Sequence, residues 1–244
     1  MNRYVFTPPP RPSVAVFGTP AKFPVNRVYC IGRNYAEHIR EMGKQPQLEE
    51  PIFFLKPADS VVTDGSPVVY PAETNNFQHE VELVVAIGRE GHHIEADQAL
   101  EYVFGYAVGN DFTRRDLQIR ARERGWPWEL GKSVDDATGV GPIHRAQEIG
   151  HLHDGRISLT VDSQLRQQAD LSDMLWKVPL VIAGISRYYK LKAGDLIFTG
   201  TPAGVAALHP GDVVVACVEG LSSLTNSIIA GVKPHPPIVS SMPT

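Results

Sequence analysis

The feature that most constrains this chain is a succession of short apolar or alternating runs, each below helical length and each closed by turn-forming residues. Residues 28–31, 52–55, 80–87, 103–109, 158–161, 196–199 and 213–218 form the set, which predicts strands. Lys192-Ala-Gly-Asp195 and His209-Pro-Gly-Asp212 each place Gly-Asp ahead of an apolar run, a spacing that predicts hairpins. Helical signals are fewer. Residues 34–42 offer Asn34 as a cap, no internal Gly or Pro, and Gly43 as a stop. Residues 172–190 carry Ser172 as a cap and Leu175, Val178, Ile182 and Ile185 at helical spacing, with Pro179 expected to break or restart the helix. The fold class is therefore α+β, strand-dominated.

At 244 residues, with no internal linker or repeat, one large core is expected. Pro8 to Pro10 and Pro12 mark residues 1–25 as an extended N-terminal arm, and Pro234, Pro236 and Pro237 mark 233–244 as a similar tail, leaving 26–232 as the catalytic body. Hydrophobic residues at 43% and charged residues at 20% match ordinary globular usage rather than disorder. A net charge of −4 without a basic run argues against nucleic acid as a partner. Cys30 and Cys217 read as buried free thiols, being too far apart in sequence for a local metal knuckle. With no apolar h-region and no run long enough to span a bilayer, the expectation is a cytoplasmic protein away from membranes.

The strongest local pattern is His79-Glu-Val-Glu-Leu-Val-Val-Ala-Ile87. Residues two apart on a strand share a face, so Glu80 and Glu82 project together while Val81 and Leu83 face the other way. Two adjacent carboxylates repel and raise a pKa unless a cation relieves them, and a hard divalent ion does so through oxygen ligands. Asp111, at the end of the apolar run beginning at Tyr102, is placed to give a third ligand. An all-oxygen set favours Mg2+, with Mn2+ or Ca2+ as substitutes. The competing reading is a solvated edge strand carrying two exposed glutamates.

In Asn34-Tyr-Ala-Glu-His-Ile-Arg-Glu-Met-Gly43, His38 and Glu41 lie three apart and share a helix face. A carboxylate that fixes the imidazole tautomer suits a general base acting on water, against the alternative of a surface ion-pair network with Glu37 and Arg40. Lys56 and Lys132 interrupt apolar or small-residue contexts, so each should meet a carboxylate or bind an anion, a structural ion pair being the simpler reading for Lys56. Phe198-Thr-Gly-Thr-Pro-Ala-Gly204 closes a strand with hydroxyls and glycines, which would let backbone N–H groups and Thr199 or Thr201 approach a ligand carboxylate. An ordinary turn is the alternative.

Six ordered blocks carry a resemblance: Cys30-Ile-Gly-Arg-Asn-Tyr-Ala-Glu-His38, Phe54-Leu-Lys-Pro57, His79-Glu-Val-Glu-Leu83, Asn110-Asp-Phe-Thr-Arg-Arg-Asp-Leu-Gln118, Gly131-Lys-Ser133 and Thr199-Gly-Thr-Pro-Ala-Gly204. Together they resemble the fumarylacetoacetate hydrolase family from about residue 28 to 218. The resemblance implies a mixed β-roll with peripheral helices and a homodimer. It implies Glu80, Glu82 and Asp111 as metal ligands, His38 with Glu41 as the catalytic pair that activates water, and Lys132 in the catalytic machinery. Arg115, Gln118 and Lys132 match substrate-contacting positions, Thr201 matches a residue at the ligand's carboxylate end, and Arg33 is expected to assist there.

The blocks look closest to the acylpyruvate-cleaving branch and similar to fumarylpyruvate hydrolases, which serve aromatic-ring catabolism through gentisate. The implied reaction is hydrolysis of a small 2-oxo acid substrate, a 2,4-dioxo acid, to pyruvate and a carboxylic acid. Decarboxylation of a 2-oxo acid such as oxaloacetate, isomerisation of an unsaturated 2-oxo diacid, and a ligand-binding homologue without turnover are the rival outcomes.

Overall fold

The computed structural model describes residues 4–43, 45 and 50–231. The described chain opens with strands β1 (Ser13–Ala15), β2 (Lys22–Pro24) and β3 (Val28–Gly32), helix α1 (Ala36–Glu41), and strands β4 (Ile52–Lys56), β5 (Val61–Thr63), β6 (Val68–Val69) and β7 (Phe77–Gln78). Strands β8 (Val81–Ile87), β9 (Val103–Asp111) and β10 (Thr113–Arg114) follow, then helices α2 (Arg115–Arg124) and α3 (Glu129–Lys132), strands β11 (Thr138–Val140) and β12 (His144–Arg145), and helix α4 (Ala146–Ile149). Strands β13 (Arg156–Val161) and β14 (Gln164–Asp170), helix α5 (Val178–Tyr188), and strands β15 (Leu196–Phe198), β16 (Val213–Val218) and β17 (Leu224–Ile229) complete it.

Strands dominate, and they form a mixed roll built on two larger sheets. The first has eight strands in the order β4-β3-β15-β8-β9-β11-β5, with β12 also paired to β9; the second has five, β14-β13-β16-β17-β6. Alternation along the central strands separates two cores. Val81, Leu83, Val85 and Ile87 of β8 join Tyr106 and Val108 of β9, the apolar faces of β13 and β16, and Val181, Ile182 and Ile185 of α5. Val84 and Ala86 point the other way, with Ala107, Cys30 and Phe198, against Val14, Val16, Phe23 and Val25. Thus the stretch after Pro12 forms a hairpin, β1 with β2, that packs into the second core. The expected tail 233–244 lies outside the described residues.

Three local expectations are corrected. Lys192 to Asp195 does form a turn, with Asp195 N–H donating to Lys192 O at 3.0 Å, but it leads from α5 into β15, which pairs with β3 and β8. No hairpin forms there. His209 to Asp212 likewise turns into β16, whose partners are β13 and β17. The buried Asp195 carboxylate instead accepts from Arg27 Nη2 at 2.6 Å and Asn26 Nδ2 at 2.7 Å, so its Asp is selected by an ion pair. Finally, Asn34 does not cap α1; Tyr35 occupies the N-cap without a side-chain bond. Asn34 ties three segments together, donating to Thr199 O at 2.7 Å and Trp176 O at 2.9 Å while accepting from Trp176 N–H at 2.6 Å. Pro179 restarts rather than ends the later helix, since it sits in the first turn of α5 where its missing N–H has no intrahelical partner to lose.

Candidate active site

Strand parity builds the acidic cluster. Glu82 shares its face of β8 with Val84 and Ala86, and Asp111 shares its face of β9 with Ala107. Glu82 stands opposite Gly109 in the antiparallel pair, and Asp111 N–H donates to Glu80 O at 2.8 Å, so the two strand ends bring all three carboxylates to one spot. Each offers an oxygen within 4.8 Å of the others. All three residues are buried, and β8 is an interior strand, so the solvated-edge reading of Glu80 and Glu82 is wrong.

Three cations meet this cluster. Lys132 Nζ donates to Glu80 Oε2 and Asp111 Oδ2, both at 2.7 Å, and to Thr113 Oγ1 at 2.9 Å. Lys56 Nζ donates to Asp111 Oδ1 at 2.7 Å, which makes it the buried ion pair expected of a lysine in an apolar strand. Arg115 pairs with the remaining oxygen of Glu80 and also donates to Gln78 Oε1 at 2.8 Å and to Gln118 Oε1. Burial works against an ionised Glu80, yet Lys132 and Arg115 outweigh it and hold its carboxyl well below the usual range. Glu82 is the contrast. Burial first, then Asp111 and Glu80, push its carboxyl well above the usual range, and the nearby Lys132 charge and the Gly200 N–H at 2.6 Å only partly offset them.

That imbalance is what a divalent ion would relieve. Oxygens on opposite sides of a cation are about 4–5 Å apart at ordinary Mg2+ to Ca2+ bond lengths, so the three ligand atoms fit one ion without rearranging the strands. Carboxylate oxygens carry several acceptor positions, and bonds to Lys132 or Lys56 do not use them up.

Helix α1 places His38 Nδ1 2.9 Å from Glu41 Oε2, while Glu41 Oε1 accepts the Gly204 N–H at 2.9 Å. Both oxygens of Glu41 are thus anchored, the second by a loop that returns from β15. Burial tends to raise the Glu41 carboxyl, but the bonds from His38 and Gly204 prevail and hold it below the usual range. Gly200 and Gly204 have φ of +94° and +101°, and a Cβ at either would collide, with Asn34 Cβ at 2.7 Å and with Arg166 O at 2.0 Å. The glycines of this loop therefore bring N–H groups to two of the protein's own carboxylates, Glu82 and Glu41, rather than to a ligand.

The two threonines separate cleanly. Thr199 is fully buried and donates to Leu83 O at 2.9 Å, so it belongs to the sheet. Thr201 lines the cleft, and its Oγ1 accepts from Gln167 Nε2 at 2.7 Å, leaving its own hydrogen to donate. One cleft in fact collects Arg33, His38, Glu80, Glu82, Arg115, Gln118, Lys132 and Thr201 among its lining residues. Asp111 lies beneath it, through Lys132. Apolar side chains complete the walls, including Ile39, Met42, Phe54, Ile119 and Trp128.

Against known proteins, the family model described as Fumarylacetoacetate (FAA) hydrolase C-terminal matches residues 27–229. The chain belongs to the fumarylacetoacetate hydrolase family. Among curated members, it is 40% identical over 181 residues to the fumarylpyruvate hydrolase of a Ralstonia species, covering 74% of this chain and 94% of that one. It is also 40% identical over 197 residues to the mitochondrial oxaloacetate tautomerase of Rattus norvegicus, covering 81% and 89%. Among solved structures, fumarylpyruvate hydrolase from Pseudomonas aeruginosa, in complex with Mn2+ and pyruvate, superposes with a TM-score of 0.92 at 45% identity, covering 94% of this chain and all of that one. These relatives support the acylpyruvate-hydrolase branch and a divalent-metal site in this family member.

Two residues escape the sequence patterns. Gln167 lies on β14 in Gln164-Leu-Arg-Gln-Gln-Ala-Asp170, where polar residues crowd one another and no periodicity marks the single one that is fully buried. Lys56 was legible as a buried cation but not as the partner of Asp111, because 55 residues separate them.

Proposed function

We propose that this protein hydrolyses the C3–C4 bond of an acylpyruvate, with fumarylpyruvate, cleaved to fumarate and pyruvate, as the best-fitting substrate. The observation that carries the proposal is that His38, paired with Glu41 behind it, lines one cleft with Glu80 and Glu82 while Asp111 lies beneath them, which sets a water-activating base against a metal-ligand set. The Mn2+ and pyruvate held by the Pseudomonas relative support the same chemistry here. Residues 26–232 are the catalytic unit in this reading, acting as a homodimer.

Glu80, Glu82 and Asp111 would hold the ion, Mg2+ by preference for an all-oxygen site. When bound, the ion supplies Lewis-acid polarisation of the substrate's 2-oxo and carboxylate oxygens. Thr201 donates its hydroxyl hydrogen to that carboxylate. Gln118 has its oxygen committed to Arg115, so its amide N–H groups are the part free to orient substrate. Glu41 fixes the His38 ring through Nδ1, leaving Nε2 to take a proton from water as the oxygen adds to C4. Collapse breaks C3–C4, the electron pair stays on the pyruvate fragment, and His38 returns the proton to C3. All three Lys132 N–H groups are bonded within the protein, so its contribution to the developing negative charge is its field, with Arg115 beside it.

Pyruvate release from fumarylpyruvate, maleylpyruvate, acetylpyruvate and oxaloacetate, with Mg2+, with Mn2+ and with chelator, tests the proposal. Metal-dependent cleavage of an acylpyruvate, lost in His38→Ala, is the expected result; full hydrolysis by that variant would remove the role given to the pair. A second reading, enol–keto exchange of oxaloacetate, is favoured by the 40% identity to the rat tautomerase. It predicts decay of the enol absorbance without pyruvate release. Oxaloacetate decarboxylation would instead release pyruvate from oxaloacetate alone, isomerisation of an unsaturated 2-oxo diacid would release none, and a binding homologue would take up metal without turnover.

A further inference from the structure

Helix α2 presents Arg115, Gln118, Ile119 and Arg122 to the cleft, the spacing of one helical face. Arg115 and Gln118 are buried and bonded to each other, and Arg115 to Glu80. Arg122 differs. It is half-buried in the cleft wall, and among the described residues its guanidinium has no hydrogen bond, ion pair or ring contact.

A cation in the last turn of a helix gains from the helix dipole wherever it points, which accounts for charge at this position but not for its direction. Its neighbours show the alternatives. Arg124 lies over the Trp126 ring at 4.7 Å, and Arg120 faces a separate groove with Trp126 and Pro127. Arg122 alone of the three lines the candidate active site. Seven residues of helix set its Cα roughly 10 Å along the axis from that of Arg115, the residue that contacts Glu80. An extended seven-carbon diacid spans roughly 7–8 Å between its carboxyl carbons at ordinary bond lengths, a length that an arginine side chain can meet.

We propose that Arg122 is a specificity-determining residue that binds a second carboxylate at the far end of the acyl chain, so that the cleft selects 2-oxo diacids over 2-oxo acids with uncharged tails. Ile119, between Arg115 and Arg122 on the same helical face, and the apolar Met42 and Trp128 of the same cleft wall suit the short hydrocarbon between the two charges. This rests on the reading above for the placement of the first carboxylate at the acidic end, but it does not require the hydrolytic step.

The test is binding of two length-matched probes, 2-oxoheptanedioate and 2-oxoheptanoate, to the full-length Mg2+-loaded protein by calorimetry. The wild type should bind the diacid about 10-fold or more tighter, as a charge-assisted pair provides. Arg122→Gln should abolish that preference while leaving the monoacid within about 2-fold, and Arg122→Lys should retain part of it. A melting scan establishes that both variants are folded. No diacid preference in the wild type, or a preference that survives Arg122→Gln, overturns the proposal, as does equal weakening of both probes. Failure to cleave any acylpyruvate, with the preference intact, would refute the hydrolase reading and leave this subsite standing.

Discussion

The ammonium of Lys132 lies 2.7 Å from Oδ2 of Asp111, with both side chains almost wholly removed from solvent. The same nitrogen is 2.7 Å from Glu80, so one cation ties together two of the three clustered carboxylates. Removing it should expose what the cluster costs by itself. Lys132→Met is expected to destabilise the metal-free protein by about 3–5 kcal/mol, because two buried charges lose their shared partner. Added Mg2+ or Mn2+ should then raise its melting temperature more than it raises that of the wild type. An equal shift in both proteins, measured after chelator treatment and back-titration, would mean that the ion does not sit against Glu80 and Asp111.

Glu82 should behave in the opposite way. Among the described residues it is the carboxylate of the cluster with no cation bonded to it, held by the Gly200 N–H, and Gln can accept that bond as well. Glu82→Gln is therefore expected to leave the metal-free protein as stable as the wild type or more so, by about 1 kcal/mol, while weakening divalent-ion binding by about 100-fold or more. Calorimetric titration beside urea denaturation separates the two effects. Parallel loss of stability and metal affinity would show that Glu82 serves the fold rather than the ion.

Much of this site was legible because strand parity is a local rule. Alternation in Glu80 to Ile87 placed two carboxylates on one face, and it did so without knowledge of which strands flank them. Whether that face met solvent or core was not local: it depended on β15 and β9 enclosing β8, strands drawn from far along the chain. The His38–Glu41 pair was legible for the same reason as the glutamates, through helical spacing. Asn34 was misread because a cap and a long-range tether place the same residue type at the same position, and only the folded chain brings Thr199 and Trp176 within reach. The Gly-Asp turns were read correctly as turns and wrongly as hairpins, since a turn signal says nothing about which strand pairs next.

Glu41 provides a pH-dependent test. Its folded-state pKa is depressed, by the His38 and Gly204 bonds acting against burial, so its contribution to stability is present above the unfolded-state value and is lost as pH falls through the folded one. A carboxyl titration followed by carbon NMR should give a midpoint for Glu41 below the ordinary 4.5. In His38→Ala the bond disappears while burial remains, and the midpoint should move upward. An unmoved midpoint would show that His38 and Glu41 do not act as a pair.

Gln167 reaches the site from the second sheet, and its four bonds set which of its neighbours donate and which accept. Its Oε1 accepts from the Val81 N–H at 3.1 Å, which orients the amide, so His79 Nδ1, at 2.8 Å from the same oxygen, must be the donor. Its Nε2 donates to Pro202 O at 2.8 Å and to Thr201 Oγ1 at 2.7 Å, which turns the Thr201 hydroxyl hydrogen away from Gln167 and leaves it to donate elsewhere in the cleft, in the proposed reading to the ligand's carboxylate. Gln167→Leu should therefore destabilise the protein by about 2–4 kcal/mol, through buried partners left unsatisfied. It should also raise KM for an acylpyruvate more than it lowers kcat, because Thr201 would keep its place but lose its orientation. Thr201→Val should reproduce the KM effect with a smaller loss of stability. If Gln167→Leu lowers the melting temperature and leaves KM unchanged, Gln167 is a bridge between sheets and nothing more.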